Sequence, residues 1–176
     1  MPADQEVVVT EMVPIDSVTN DAVEQLLDRA FGSDRHQRTA YRLRTGLTPI
    51  PELSFALIEG AALWGTIQCW PVRFVGDDSR DVPMVLVGPV AVTPERQQGG
   101  LGRRLMQAAL DAADSRGLTS MLIGDPAYYG RFFGFSADAT GGWRLPGPVE
   151  RHRLLARGPA IPAGDGIIAP RATVPA

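Results

Sequence analysis

Residues 97–103 read Gln97-Gln98-Gly99-Gly100-Leu101-Gly102-Arg103, and an apolar helical pattern starts at Leu101. A helix start is usually capped by Ser, Thr, Asp or Asn, which accept from its first free N–H groups. Here glycine and glutamine stand in those places. A glycine within a helix costs up to ~1 kcal/mol relative to alanine. It also removes the Cβ that would keep a ligand off the backbone. Gly99, Gly100 and Gly102 together suggest an anion site, with bare N–H groups facing a phosphate-bearing ligand. A flexible turn before a helix is the plainer alternative. Thr93-Pro94-Glu95 is a rival helix start, read as a single turn because glycines follow it. Two phosphate motifs are excluded. The P-loop needs Lys-Ser/Thr where Arg103-Arg104 stands, and the dinucleotide fingerprint needs a glycine where Leu105 stands.

The apolar run before this turn, Met84 to Val92, is interrupted by Gly88-Pro89. Proline has no N–H and cannot complete a central ladder. Such a pair marks a bulge, which bends a strand and leaves groups unpaired. The backbone of Val90, Ala91 and Val92 is then open to an extended amide-bearing ligand. An edge strand accounts for the same pair.

The elements around this segment are legible as alternations of period. Leu101, Leu105, Ala108, Ala109 and Ala112 line one side of a helix over 101–116, which ends at Gly117. Residues 119–123 make the next strand, so 84–123 is a βαβ unit with parallel strands and a right-handed crossover. Upstream, the pattern predicts a strand over 6–10, a helix over 18–31 capped by Asp16 or Ser17, and a second, basic helix over 35–44. Strands over 53–58 and 63–75 follow, with a turn at 76–80. Downstream stand helical turns at 128–133, late strands at 143–145 and 151–155, and an irregular tail over 159–176. Strands joined by short turns are antiparallel. The fold class is α/β (α+β): a mixed, mostly antiparallel central sheet with a parallel βαβ unit and helices on both faces. One domain over 1–176 is expected.

Composition narrows the function. The net charge of −3 over 176 residues gives no global basic field for nucleic acid or an anionic membrane. Cys69 is the only cysteine, which fits a reducing compartment. Neither a secretory signal nor a bilayer-length apolar stretch is seen, so a cytoplasmic location is expected. His, Cys, Asp and Glu have no metal-ligand spacing. Glu52, Asp125, His36 and His152 are candidate bases by chemistry alone. Cys69 is read as packing. Arg35, Arg38, Arg42 and Arg44 either attract an acidic acceptor or solvate a helix face, and the second reading is taken.

With these residues in hand, the chain resembles the GNAT superfamily of acyl-CoA-dependent N-acetyltransferases, and within it small bacterial YhbS-like acetyltransferases. The family's Arg/Gln-x-x-Gly-x-Gly/Ala signature is matched by Gln97, Gly100 and Gly102. The strand with a central break matches too. Gly124 to Phe135 is similar to the family's final tyrosine helix and its Gly-Phe. The resemblance spans about Val85 to Phe135.

It implies a GNAT-like fold with acetyl-CoA (CoA) as cofactor. Backbone amides from Gln98 to Arg103 would hold the pyrophosphate, with Arg103 and Arg104 either adding charge or solvating the helix. Val90 to Val92 would pair with the pantetheine arm, an N–H such as that of Val90 polarising the thioester. A neutral amine would attack directly. A tyrosine would protonate the departing thiolate: Tyr129 first, Tyr128 in reserve. The family places that tyrosine four residues before the glycine of Gly-Phe, and here that count lands on Gly130. The acceptor would be a small-molecule amine or a peptide or protein amine, and the protein a monomer or homodimer with no nucleic-acid or membrane partner. The rival function is a CoA-binding or acyl-CoA-binding sensor or interaction module without efficient catalysis.

Overall fold

The computed structural model describes residues 9–171. Eight strands form one mixed sheet. They are β1 (Glu11–Pro14), β2 (Phe55–Glu59), β3 (Ala62–Gly76), β4 (Asp81–Val92), β5 (Ser120–Ile123), β6 (Trp143–Arg144), β7 (Leu154–Arg157) and β8 (Gly166–Pro170). The helices are α1 (Asn20–Phe31), α2 (Thr39–Leu43), α3 (Leu101–Ser115) and α4 (Pro126–Phe133). The main path runs β1-β2-β3-β4-β5-β7, and β8 pairs with the later half of β3, on the edge that β2 leaves free. The β4–β5 pair is parallel, as the crossover through α3 requires. The other pairs on the main path are antiparallel. The two-residue β6 also runs parallel to β8.

Side-chain alternation divides the core between the sheet's two faces. Ile67 and Cys69 on β3, with Val85 and Val87 on β4, pack towards α3 through Leu105, Met106, Ala109 and Leu110. Trp70, Val72 and Phe74 on β3, with Met84 and Leu86 on β4, pack on the opposite face with Leu43 of α2 and Trp143. Strand β4 then changes parity. Val90 and Val92 lie against the α3 core, while Ala91 joins Val23, Leu26 and Leu27 of α1. The cause is one extra residue. Cys69 pairs with Val87 and Ile67 with Val90, so Gly88 and Pro89 together oppose Gln68. The bulge absorbs this residue, so the later side chains still face as their β3 partners do while their numbers pass from odd to even.

Several expectations are corrected. Of the strand expected over 6–10, residues 6–8 lie outside the described residues, Val9 and Thr10 carry no strand, and β1 begins at Glu11, in register with β2. Thr19, not Asp16 or Ser17, caps α1: its hydroxyl accepts from the Ala22 N–H at 3.1 Å. The basic helix over 35–44 is broken, because Arg38 is extended (φ −71°, ψ 146°) between a 3₁₀ segment and α2. Its arginines do not form one solvated face, since Arg35 and Arg44 are buried. The strand expected over 151–155 starts at Leu154, after a 3₁₀ turn. The tail is not irregular throughout, because Gly166–Pro170 forms β8. Gly166 is needed there: a Cβ would overlap the Phe74 ring.

Candidate active site

The bulge in β4 opens the sheet. The peptide Gly88–Pro89 is cis, and Gly88 has φ +120°, where only glycine is comfortable. The Trp70 indole N–H donates to the Gly88 carbonyl at 2.7 Å and holds the bend in place. Pairing between β4 and β5 is confined to Val85 with Ser120 and Leu86 with Met121. Beyond the bulge the strands diverge, and Val90 to Val92 keep partners only on the β3 side, with Ile67, Thr66 and Gly65. The Gln97 side-chain amide donates to the Val92 carbonyl at 3.4 Å, tying the glycine turn to the end of this strand.

The turn has the character its residues predict. Pro94–Arg96 is one 3₁₀ turn, and Gly100 then precedes α3 in the left-handed region (φ 73°, ψ 13°). No side chain caps α3. The Arg104 N–H donates to the Gly100 carbonyl at 3.2 Å, so the N–H groups before it lie outside the helical ladder. Gly100 is explained by its dihedrals. Gly102 is not explained by the fold, since a Cβ there would meet only Val92 Cγ2, at 3.9 Å. Gln97, Gln98, Gly99 and Gly100 are exposed and Gly102 half-exposed, whereas the Leu101 side chain is buried in the core. Arg103 and Arg104 are exposed, and the Arg103 guanidinium lies 4.2 Å from the Phe132 ring centroid.

Where β4 and β5 part, a cavity of about 630 Å³ opens. Val87 to Val90, Met106 and Leu122 form its sheet-side wall, and Tyr129 of α4 closes one flank. Residues of α2 and of the segment before it, with Pro148 to Glu150 and Arg153, form the other side. Asp125 caps α4 by accepting from the Ala127 N–H at 2.9 Å. Gly124 lets the Tyr129 ring lie against the end of β5, since a Cβ there would overlap it. Burial pushes the Tyr129 phenol above its ordinary pKa, helped by Tyr128 and Asp125 and opposed by Arg153. Tyr128 does not line the cavity; it packs edge-on against Tyr129 and Phe133.

The four candidate bases stand apart from this cavity. Asp125 is the helix cap. Glu52 lies exposed on a 3₁₀ turn. His36 sets its Nδ1 3.2 Å from the Ser33 carbonyl, and His152 sits exposed beside Glu150. Among the described lining residues Glu150 is the carboxylate, and sequence reasoning passed it over because no motif marks it. Cys69 is buried and its thiol is pushed up to about 12, which suits packing and not nucleophilic chemistry. Among the described residues no group of three His, Cys, Asp or Glu side chains is placed to hold a metal ion. No helix there is long and apolar enough to cross a membrane.

The model of the acetyltransferase (GNAT) family matches residues 20–135. The chain is 34% identical over 147 residues to YhbS of Escherichia coli K12, described as an uncharacterised N-acetyltransferase, covering 81% of this chain and 84% of that protein. The crystal structure of Escherichia coli YhbS in complex with CoA aligns with TM-score 0.69 at 25% identity, covering 93% of this chain and 91% of that one. A GNAT family acetyltransferase from Brucella melitensis, in complex with acetyl-CoA, has the same fold, with TM-score 0.66 at 22% identity over 94% of this chain and 97% of that one. The protein belongs to the GNAT acetyltransferase family and is an acyltransferase.

Proposed function

We propose that the protein transfers an acetyl group from acetyl-CoA to a primary amine by direct attack, as a single-domain cytoplasmic enzyme. The observation that carries this is the shared cavity. It joins the opened backbone of β4, through Val90, to the Tyr129 hydroxyl-bearing ring, beside a helix whose first turn is bare. CoA and acetyl-CoA bound to the related structures support the choice of cosubstrate.

The residues present fit that group. The N–H groups from Gln98 to Arg103, except that of Gly99, which donates to the Arg96 carbonyl at 3.3 Å, hold a diphosphate in place of a cap. Gly102 leaves room for its approach. The free edge of Val90 to Val92 pairs with the amides of the pantetheine arm. Acetyl-CoA supplies the activated acetyl thioester. The Val90 N–H stabilises charge on the carbonyl oxygen. Tyr129 holds a proton for the departing sulfur. A reference thiol pKa of about 8.5 and a tyrosine pKa of about 10 make that transfer feasible, and burial keeps Tyr129 in its acid form at neutral pH.

A second reading is a CoA-binding sensor without efficient catalysis. It is favoured by the absence of all four candidate bases from the cavity lining. Calorimetry with acetyl-CoA, ATP and NAD, followed by a screen of amines for CoA release, decides. The transfer reading expects a preference for acetyl-CoA and turnover with at least one amine. Tight acetyl-CoA binding without turnover across the panel supports the sensor, and a preference for ATP overturns both.

A further inference from the structure

One side of the cavity carries a buried cation, Arg44, that no ion pair of the fold neutralises. A buried arginine is normally paired with a carboxylate. Arg35 partly follows the rule, with Glu24 and Asp28 as partners, but its Nη1 is buried without any. Arg44 departs from it. Its side chain is only 7% exposed, and among the described residues no carboxylate lies within 4.0 Å of it. Its Nη1 donates to the Gln68 side-chain Oε1 at 3.2 Å, and its guanidinium carbon lies 4.3 Å from the Tyr41 ring centroid and 4.8 Å from the Trp70 ring centroid. One hydrogen bond out of five N–H donors leaves most of the fork unused.

Arg35 and Arg44 both line the cavity, as do the exposed Arg38 and Arg153. Glu150 opposes them as the lining carboxylate, and Glu24 and Asp28 offset Arg35 from outside the lining, which leaves Arg38, Arg44 and Arg153 in excess. This local excess stands against a chain net charge of −3. It is also distinct from the diphosphate turn, because none of residues 97–103 lines the cavity. Gln68, which holds Arg44, is the residue opposite the Gly88-Pro89 bulge. The cation is therefore fixed to the place where the strands open.

We infer that the acceptor is an amine that also carries an anionic group, a carboxylate or a phosphate monoester, and that Arg44 is the specificity residue that takes it. This inference rests on the transfer reading. Guanidinium forks bind such groups through paired hydrogen bonds, more strongly in a desolvated site than at a surface.

The test uses matched acceptors: ω-amino acids of two to six carbons against their amides, and phosphoethanolamine against ethanolamine. The parent is expected to prefer an anionic member by roughly 10- to 100-fold in kcat/KM, and the preferred pair identifies the anion. Arg44→Met is expected to bring that ratio near one while acetyl-CoA affinity stays within about threefold. Arg44→Lys, which keeps the charge, should retain part of the preference. Equal or better use of the neutral members by the parent overturns the inference, as does a ratio unchanged in Arg44→Met. Weakening of acetyl-CoA binding as large as the loss of acceptor would place Arg44 with the cosubstrate and also overturn it. A second readout does not need turnover. The same compounds are titrated into the CoA complex while tryptophan fluorescence is followed, with Trp70→Phe assigning the signal. Saturable change with an anionic member in the parent, lost in Arg44→Met, supports the inference even where no acetyl transfer occurs. No change in the parent overturns it.

Discussion

Replacing Gly102 by leucine asks whether the bare first turn of α3 serves a ligand or only the fold. The protein itself has room there, because a Cβ would touch Val92 Cγ2 at an ordinary 3.9 Å. Leucine is a far better helix former than glycine, by about 0.5–1 kcal/mol. The ligand-free variant should therefore melt at least as high as the parent, up to roughly 1–4 °C higher for a chain of this size. A diphosphate held by backbone N–H groups needs the space that the new side chain fills. Losing even one charge-assisted bond costs about 1.5–3 kcal/mol, so CoA affinity should fall roughly 10- to 150-fold. Gly102→Ala is the milder control, with the same gain in stability and CoA binding within a few-fold. Gly100→Ala should behave oppositely towards the fold, because φ +73° costs a side-chain-bearing residue about 1–2 kcal/mol. Differential scanning calorimetry and titration calorimetry with CoA read the two effects separately. A Gly102→Leu protein that melts normally and binds CoA as the parent does would refute the reasoning about this turn.

Other expectations follow from the same geometry. Tyr129→Phe should lower kcat by about 10²- to 10⁴-fold with acetyl-CoA affinity nearly unchanged, whereas Tyr128→Phe should stay within a few-fold; equal losses in both would deny Tyr129 its role. Burial raises the Tyr129 pKa, so its protonated form and the associated stability persist below the reference value of about 10 and are lost as pH rises through the higher folded value. A pH–rate profile that loses its acid near neutrality would point to a different group. Cys69, with a thiol pushed up to about 12, should resist a disulfide reagent at pH 8 in the native state and react at once in denaturant. Leu105→Ala removes a fully buried side chain and should cost about 2–5 kcal/mol, or roughly 4–20 °C in Tm, without altering the affinity of refolded protein for CoA more than a few-fold.

What the sequence makes legible depends on how local the cause is. The βαβ unit is readable because its signals lie within a few residues of each other: apolar runs, the 101–116 stripe, and glycines where the backbone must bend. The β4 bulge is readable because proline lacks an N–H. Burial of Arg35 and Arg44 is not readable, since it depends on Glu24, Asp28, Gln68, Tyr41 and Trp70 arriving from other elements. Strand β8 is hidden for a similar reason. Its Ile167-Ile168 pair sits among prolines and glycines, and only the free edge of β3 and the two-residue β6 give it partners. The cap of α1 moves from Asp16 or Ser17 to Thr19 because Ile15–Ser17 is already committed to a 3₁₀ turn. Glu150 carries no motif and reaches the cavity through chain path alone.

The odd residue in β4 has a consequence for how this protein tolerates change. Point substitutions elsewhere in the sheet alter one contact each. Deleting Pro89 would instead restore strict two-residue alternation through the whole strand. Val90 and Val92 would stay on the α3 side and Ala91 on the α1 side, because each keeps its β3 partner (Ile67, Gly65 and Thr66), so the packing would survive while the bend is lost. Such a shortened chain would trade a cleft for a continuous ribbon of hydrogen bonds. The wedge between neighbouring strands is thus a counting property of the polypeptide, set by length rather than by side-chain chemistry.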